Sequence, residues 1–164
     1  MRLLEFARKR GLMILVLAML VPAAASAQDV PTQIILGGQV KAPKTYDRAA
    51  LAAMPQASLK VGDATYTGVL LWSLLQDAGL VLDPSIKADV LRKAVVATAN
   101  DGYKVAISIG EIHPTFGNQP CLIALQQDGA DFSSGGFARL IFPSDVKRGR
   151  WVRDLTELRV SEVP

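Results

Sequence analysis

Ser133-Ser134-Gly135-Gly136-Phe137-Ala138-Arg139-Leu140-Ile141-Phe142-Pro143, continued by Ser144-Asp145-Val146-Lys147-Arg148-Gly149-Arg150-Trp151-Val152-Arg153, is the stretch around which the chain is organised. A glycine pair opens it, and glycine permits backbone angles and close approaches closed to other residues. Residues 138–142 form an apolar run of strand length that Pro143 ends. The loop beyond carries Lys147, Arg148, Arg150 and Arg153 around one large aromatic, Trp151. Arginine forks bind oxyanions in pairs and an indole stacks on planar rings, so this composition suits a flat, polar or anionic ligand. A solvated basic turn with its tryptophan tucked against the core is the other reading of the same residues.

Outward from this stretch, residues 1–27 read as a secretory leader rather than as part of the fold. Arg2, Arg8, Lys9 and Arg10 make a basic start, residues 11–21 are apolar, and Ala25-Ser26-Ala27 is a small-x-small cleavage site. The apolar run is short for a membrane span, and no cysteine follows it to carry a lipid. An uncleaved anchor is the alternative; the well-formed site favours export with cleavage after Ala27. The leader also explains the basic balance. The chain has 18 Lys+Arg against 15 Asp+Glu, and four of the former and one of the latter lie in the leader, leaving 14 of each. A nucleic-acid partner or an anionic membrane surface therefore loses its support, and only the local cluster at 147–153 remains basic.

Residues 28–164, about 137 in number, are one domain by length and can bury a core without staples. One cysteine allows no internal disulfide. Strands are expected at 32–36, 58–61, 94–99, 103–109, 121–125, 138–142 and 158–163. Asn100-Asp101-Gly102 is a strong hairpin turn, and the apolar 121–125 run should be a central strand. Helices are expected from Tyr46 to Met54 with Thr45 as cap, from Val69 to Gly79, and within 84–93; 110–119 reads as loop. Strands with a few short helices between them predict an α+β domain built on a mixed sheet.

The order of signals resembles the molybdopterin-binding domain of the sulfite-oxidase-type oxidoreductases. Tyr66-Thr67-Gly68 opens a leucine helix with Leu71, Leu74 and Leu75, and Asp101-Gly102-Tyr103 forms a hairpin. A strand and an Asp-Gly turn follow at 123–129, then Gly136-x-x-Arg139-apolar-apolar-x-Pro143, a basic loop, and a last strand with Leu158, Arg159 and Val160. The resemblance covers nearly all of 32–163 and implies the sulfite-oxidase fold. In catalytic members a cysteine thiolate upstream of the aromatic-x-Gly helix ligates molybdenum. Residues 55–68 contain no cysteine here, and Cys121 lies in an apolar run, where a lone cysteine reads as a small buried hydrophobe. The missing ligand argues against catalysis, and no molybdenum is expected. The resemblance then points to small, exported, cysteine-less periplasmic relatives that bind a pterin, reduced or molybdopterin-like. These relatives relay ligand state to the periplasmic domain of an inner-membrane signalling protein that makes and degrades cyclic dinucleotides. A molybdopterin-dependent oxidoreductase with a non-standard metal site is the alternative, and a module that has lost its ligand is a third.

Six residues are candidates for the pterin. The resemblance gives Trp151 to the ligand-touching loop, Arg139 to the strand after the glycine pair, and Arg150 and Arg153 to the closing loop. Arg139 could instead pair with Asp145, and the other two arginines could be solvated surface. Asp101 offers two acceptors to an amino-pyrimidone edge, or it simply forms the turn before Gly102. Tyr103 reads as half core, half pocket wall. Trp72, on a leucine helix, reads as core. His113 stands alone before Pro114 without metal spacing. No Ser-His-Asp or paired-carboxylate arrangement can be argued.

Overall fold

The computed structural model describes residues 30–163. The expected leader and its cleavage point lie outside the described residues. Among the described residues, ten strands form two sheets, joined by three short α-helices. The first has the order β2 (Lys44–Asp47), β1 (Gln33–Gly38), β10 (Leu155–Glu162), β5 (Lys93–Ala99), β6 (Lys104–Ser108). Only the β1–β10 pair is parallel in it, so the sheet is mixed. The second runs β3 (Ala57–Val61), β4 (Ala64–Leu70), β7 (Leu122–Gln127), with β8 (Ala130–Asp131) and β9 (Arg139–Ile141) both pairing with β7.

Alternation fixes what each strand buries. In β1, Ile34 and Leu36 point inward, and in β10 so do Leu158 and Val160. They meet Val69, Ile123, Leu125 and Leu140 of the second sheet in one buried cluster. The helices α1 (Arg48–Ala52), α2 (Leu71–Ala78) and α3 (Ile109–Ile112) add Leu51, Leu71, Leu74, Leu75, Ile109 and Ile112 to it. The other face of the second sheet carries a smaller cluster, Tyr66, Leu122, Ala124 and Ile141, against which Trp151 packs. The expectation of an α+β domain with a mixed sheet and short helices holds in this architecture.

Three local readings need correction. Residues 44–47 pair with β1 as a strand; the helix starts at Arg48, and Asp47 rather than Thr45 caps it, accepting from the Ala50 N–H at 2.7 Å. Tyr46 is held in that strand because its ring is buried and its hydroxyl donates to Asp77 at 2.7 Å. Residues 64–70 are a strand, and the leucine helix begins only at Leu71. Alternation puts Tyr66 in one cluster and Val69 in the other, and a bulge opposite Thr67/Gly68 leaves Leu125 of β7 as the extra residue. Gly68 is required there: a Cβ would sit 2.1 Å from the Ile123 carbonyl oxygen. Finally, 84–93 yields only a 3-10 turn, Asp89–Arg92, because Ala88 is left-handed (φ 54°), and one helical turn, α3, stands at the edge of the expected loop.

Candidate functional site

The stretch 133–153 folds as a hooked edge on the second sheet. Gly135 and Gly136 both take φ +75°, which lets the loop before β9 lie against Asp154; the Asp154 N–H donates to the Gly135 carbonyl at 2.8 Å. Within β9, Leu140 faces the main core while Arg139 and Ile141 face the outer cluster. Pro143 ends the strand, a 3-10 turn forms at Arg148–Arg150, and the chain returns so that Val152 and Leu140 exchange backbone hydrogen bonds of 3.2 and 2.9 Å. This return places Trp151 and Arg153 beside Arg139. The Trp151 indole N–H donates to the Phe142 carbonyl at 3.0 Å, and Tyr66 meets its ring edge-on at 5.5 Å.

A pocket of about 240 Å³ opens between these groups, lined by Tyr66, Gln127, Arg139, Arg148, Trp151 and Arg153 with the strand residues between them. That is somewhat below the roughly 300–1,000 Å³ of sites for drug-sized ligands, and suits a single bicyclic ring system. Its charge is one-sided. Among the described residues, Arg139, Arg148 and Arg153 have no carboxylate within ion-pairing distance. Arg139 lies over the Phe132 ring at 3.9 Å and donates one Nη to the Ser134 carbonyl, yet its Nε is buried with no acceptor. Burial, and after it the neighbouring Arg153 charge, push this guanidinium below its ordinary value. A buried donor without an acceptor is costly, and it belongs to a guanidinium that lines the pocket. Arg148 lies over the Trp151 ring at 4.5 Å.

The six sequence candidates separate into three places. Trp151, Arg139 and Arg153 share the pocket. Asp101 and Tyr103 line an adjoining hollow of about 350 Å³ on the far side of Arg148, Trp151 and Arg153. There Asp101 accepts from the Tyr103 N–H at 2.9 Å, and the Tyr103 hydroxyl donates to the Gly149 carbonyl at 2.6 Å. Arg150 turns away from both. It donates to Asp145 and to Glu111, each at 2.9 Å, and lies over Phe142 at 4.0 Å. The bond to Asp145 first, and Glu111 after it, raise its pKa. The ion pair entertained between Arg139 and Asp145 is thus formed by Arg150 instead. Tyr66 and Gln127 are pocket residues that the sequence did not offer as ligand contacts, and Arg148, noted in the basic loop, was not among the six candidates. The strand-forming run Thr65-Tyr66-Thr67 was the available signal for the first.

No family model and no curated protein matches the chain. Among solved structures it is similar to the sulfane dehydrogenase SoxCD from Paracoccus pantotrophus, with a TM-score of 0.62 at 18% identity. The fold is of the sulfite-oxidase type. The likeness covers 81% of this chain but only 38% of that one, so the chain spans well under half the length of its structural neighbour.

A molybdopterin-type cofactor can be tested against the donor set in two halves. For the metal, the residues do not fit a thiolate-bound centre. Residues 55–68, which form most of β3 and β4, hold no cysteine, and Cys121 is buried in the main core, where desolvation pushes its thiol up and keeps it protonated. For the organic half the residues do fit: an aromatic wall, three unpaired guanidinium groups and the orphaned Arg139 Nε.

Proposed function

We propose that the pocket between β9 and the returning loop binds a pterin, reduced or molybdopterin-like, and that the chain acts as a non-catalytic binding protein. The observation that carries this reading is the gathering of Arg139, Arg148 and Arg153 around Trp151 in one pocket, with no carboxylate within ion-pairing distance among the described residues. The ring would lie against Trp151, with Arg139 and Arg153 donating to ring oxygens or a phosphate. Asp101 and Tyr103, in the adjoining hollow, would meet a substituent rather than the ring. In this reading the chain is exported to the periplasm and presents its ligand state to the periplasmic domain of an inner-membrane cyclic-dinucleotide enzyme. That relay rests on the sequence resemblance alone. An oxidoreductase with a non-standard metal site is the second reading, supported by the fold of the SoxCD neighbour. Protein purified from its native host decides between them. A co-purified pterin, identified by fluorescence and mass, with no stoichiometric molybdenum, is the expected result. Stoichiometric molybdenum with a dithiolene absorption would give the second reading precedence.

A further inference from the structure

We propose that Arg148 is the specificity-determining residue of this pocket: it occupies the ring face of Trp151, and a ligand that carries an anionic group is favoured because it compensates the displaced guanidinium. The inference rests on the pterin-pocket reading above and goes beyond it by naming what the site selects.

Arg148 differs from its two neighbours in how it is held. Arg139 is fixed by the Phe132 ring and the Ser134 carbonyl. Arg148 is exposed, has no carboxylate partner among the described residues, and is held at its guanidinium by the indole at 4.5 Å. The backbone beside it is pinned: Tyr103 holds the Gly149 carbonyl, and Asp145 and Glu111 hold Arg150. The freedom of this turn therefore lies in the Arg148 side chain. That side chain lines both the pocket and the adjoining hollow, so it has somewhere to swing.

A flat ligand that stacks on Trp151 displaces the cation. If the ligand is neutral, it exchanges one favourable ring contact for another and gains little. If it carries a phosphate or carboxylate, it gains the stack, and the freed guanidinium forms a charge-assisted bond to it. Arg148 thus penalises neutral rings and favours anionic ones of the same shape.

The test uses dihydroneopterin and its monophosphate, which share one ring system and differ only in the phosphate, titrated by fluorescence against the folded full-length protein. Wild type should bind the phosphate about tenfold tighter or more. In Arg148→Ala the neutral compound should bind as well as before or up to about fivefold tighter, while the phosphate weakens about tenfold, so that the preference collapses. Arg148→Lys should restore part of the preference, since it returns the charge without the planar fork. Equal weakening of both compounds in Arg148→Ala would show that the residue only shapes the pocket. A preserved preference would move the charge reading to Arg139 or Arg153. Equal wild-type affinity for the two compounds sinks the inference while leaving the pocket; binding of neither removes the pterin reading as well.

Discussion

Where the Asp89–Arg92 turn enters β5 of the first sheet, Asp89 and Lys93 are both almost fully buried, and each finds its partners inside the chain. Their charged groups lie 3.2 Å apart, Lys93 also donates to the Gln39 side chain at 2.8 Å, and Asp89 accepts from the Asp83 N–H at 2.9 Å. At the edge of the second sheet, Arg139, Arg148 and Arg153 gather without a single carboxylate within ion-pairing distance among the described residues, and a buried donor of Arg139 is left open. The two places solve opposite problems. Charge answered from within stabilises the fold and leaves nothing for a ligand. Charge left unanswered costs stability and is tolerated where something from outside completes it. Arg150 shows the contrast inside one turn: two residues from Arg148, it is fully engaged by Asp145 and Glu111, and it takes no part in the pocket.

The largest expected effect breaks the internally answered pair. Lys93→Ala leaves Asp89 buried beside an empty position and should lower the melting temperature by on the order of 10 °C, with pterin affinity unchanged. The same pair sets an acid limit. Asp89 is held below its ordinary value, first by the Asp83 N–H and further by Lys93. Its contribution is therefore present above the unfolded carboxylate value, roughly pH 4, and is lost as pH falls through the lower folded value. Wild-type melting curves should fall in that window, and the curve of Lys93→Ala should be flatter there. A lost affinity in a folded Lys93 variant would mean that the two places are coupled rather than independent.

Next is Trp151→Ala, which removes the wall of the unanswered site. Base–aromatic stacking is worth roughly 1–3 kcal/mol, so affinity for an anionic reduced pterin such as dihydroneopterin monophosphate should fall about 5- to 150-fold in an anaerobic fluorescence titration, and affinity for a neutral one less. Trp72→Phe is its control. Trp72 lies on α2 against the main core, meets His113 edge-on at 4.6 Å and is not among the residues lining the pocket, so stability should change and affinity should not. Unchanged affinity in Trp151→Ala would take the loop out of the site.

Much of this was legible in the sequence because the signals were local. Alternation marked β6, apolar runs of strand length marked β5, β9 and the central β7, and Gly135-Gly136 marked the turn that seats Arg139. What failed was long-range. The 44–47 strand forms because β1 offers it a ladder, and nothing within Lys44-Thr45-Tyr46-Asp47 says so. The helix boundary at Leu71 was drawn too early because Val69 and Leu70 look helical beside their leucines; the strand β7 claims them instead. The site followed the same rule. Residues adjacent in sequence, Trp151 and Arg153, were found, whereas Tyr66 and Gln127 arrive through the β4–β7 pairing. Arg150 was misplaced because its two acceptors, one of them 39 residues away, are invisible to spacing.

A smaller effect is expected at Cys121. Its thiol is buried in the main core and no pocket residue depends on it, so Cys121→Ala should cost on the order of 1 kcal/mol in stability and leave affinity as it was. Loss of binding in the folded variant would reopen the question of a thiolate ligand.

The smallest expected change in stability is the sharpest test of the comparison. Arg139→Met keeps an unbranched side chain of similar length over Phe132 and removes the charge. Were Arg139 answered from within, as Lys93 is, this substitution would be among the most damaging in the molecule. It gives up one bond to the Ser134 carbonyl, the charge on the Phe132 ring and the attraction of Asp154, but it also removes a buried Nε that has no acceptor and relieves the repulsion from Arg153. These contributions oppose each other and are of similar size, so the melting temperature should stay within about 2 °C of wild type. Affinity should nonetheless fall about tenfold or more, because a charge-assisted bond to the ligand is lost. A fall in melting temperature of 10 °C, like that expected of Lys93→Ala, would mean that Arg139 serves the fold, and the open donor would then need another explanation than a ligand.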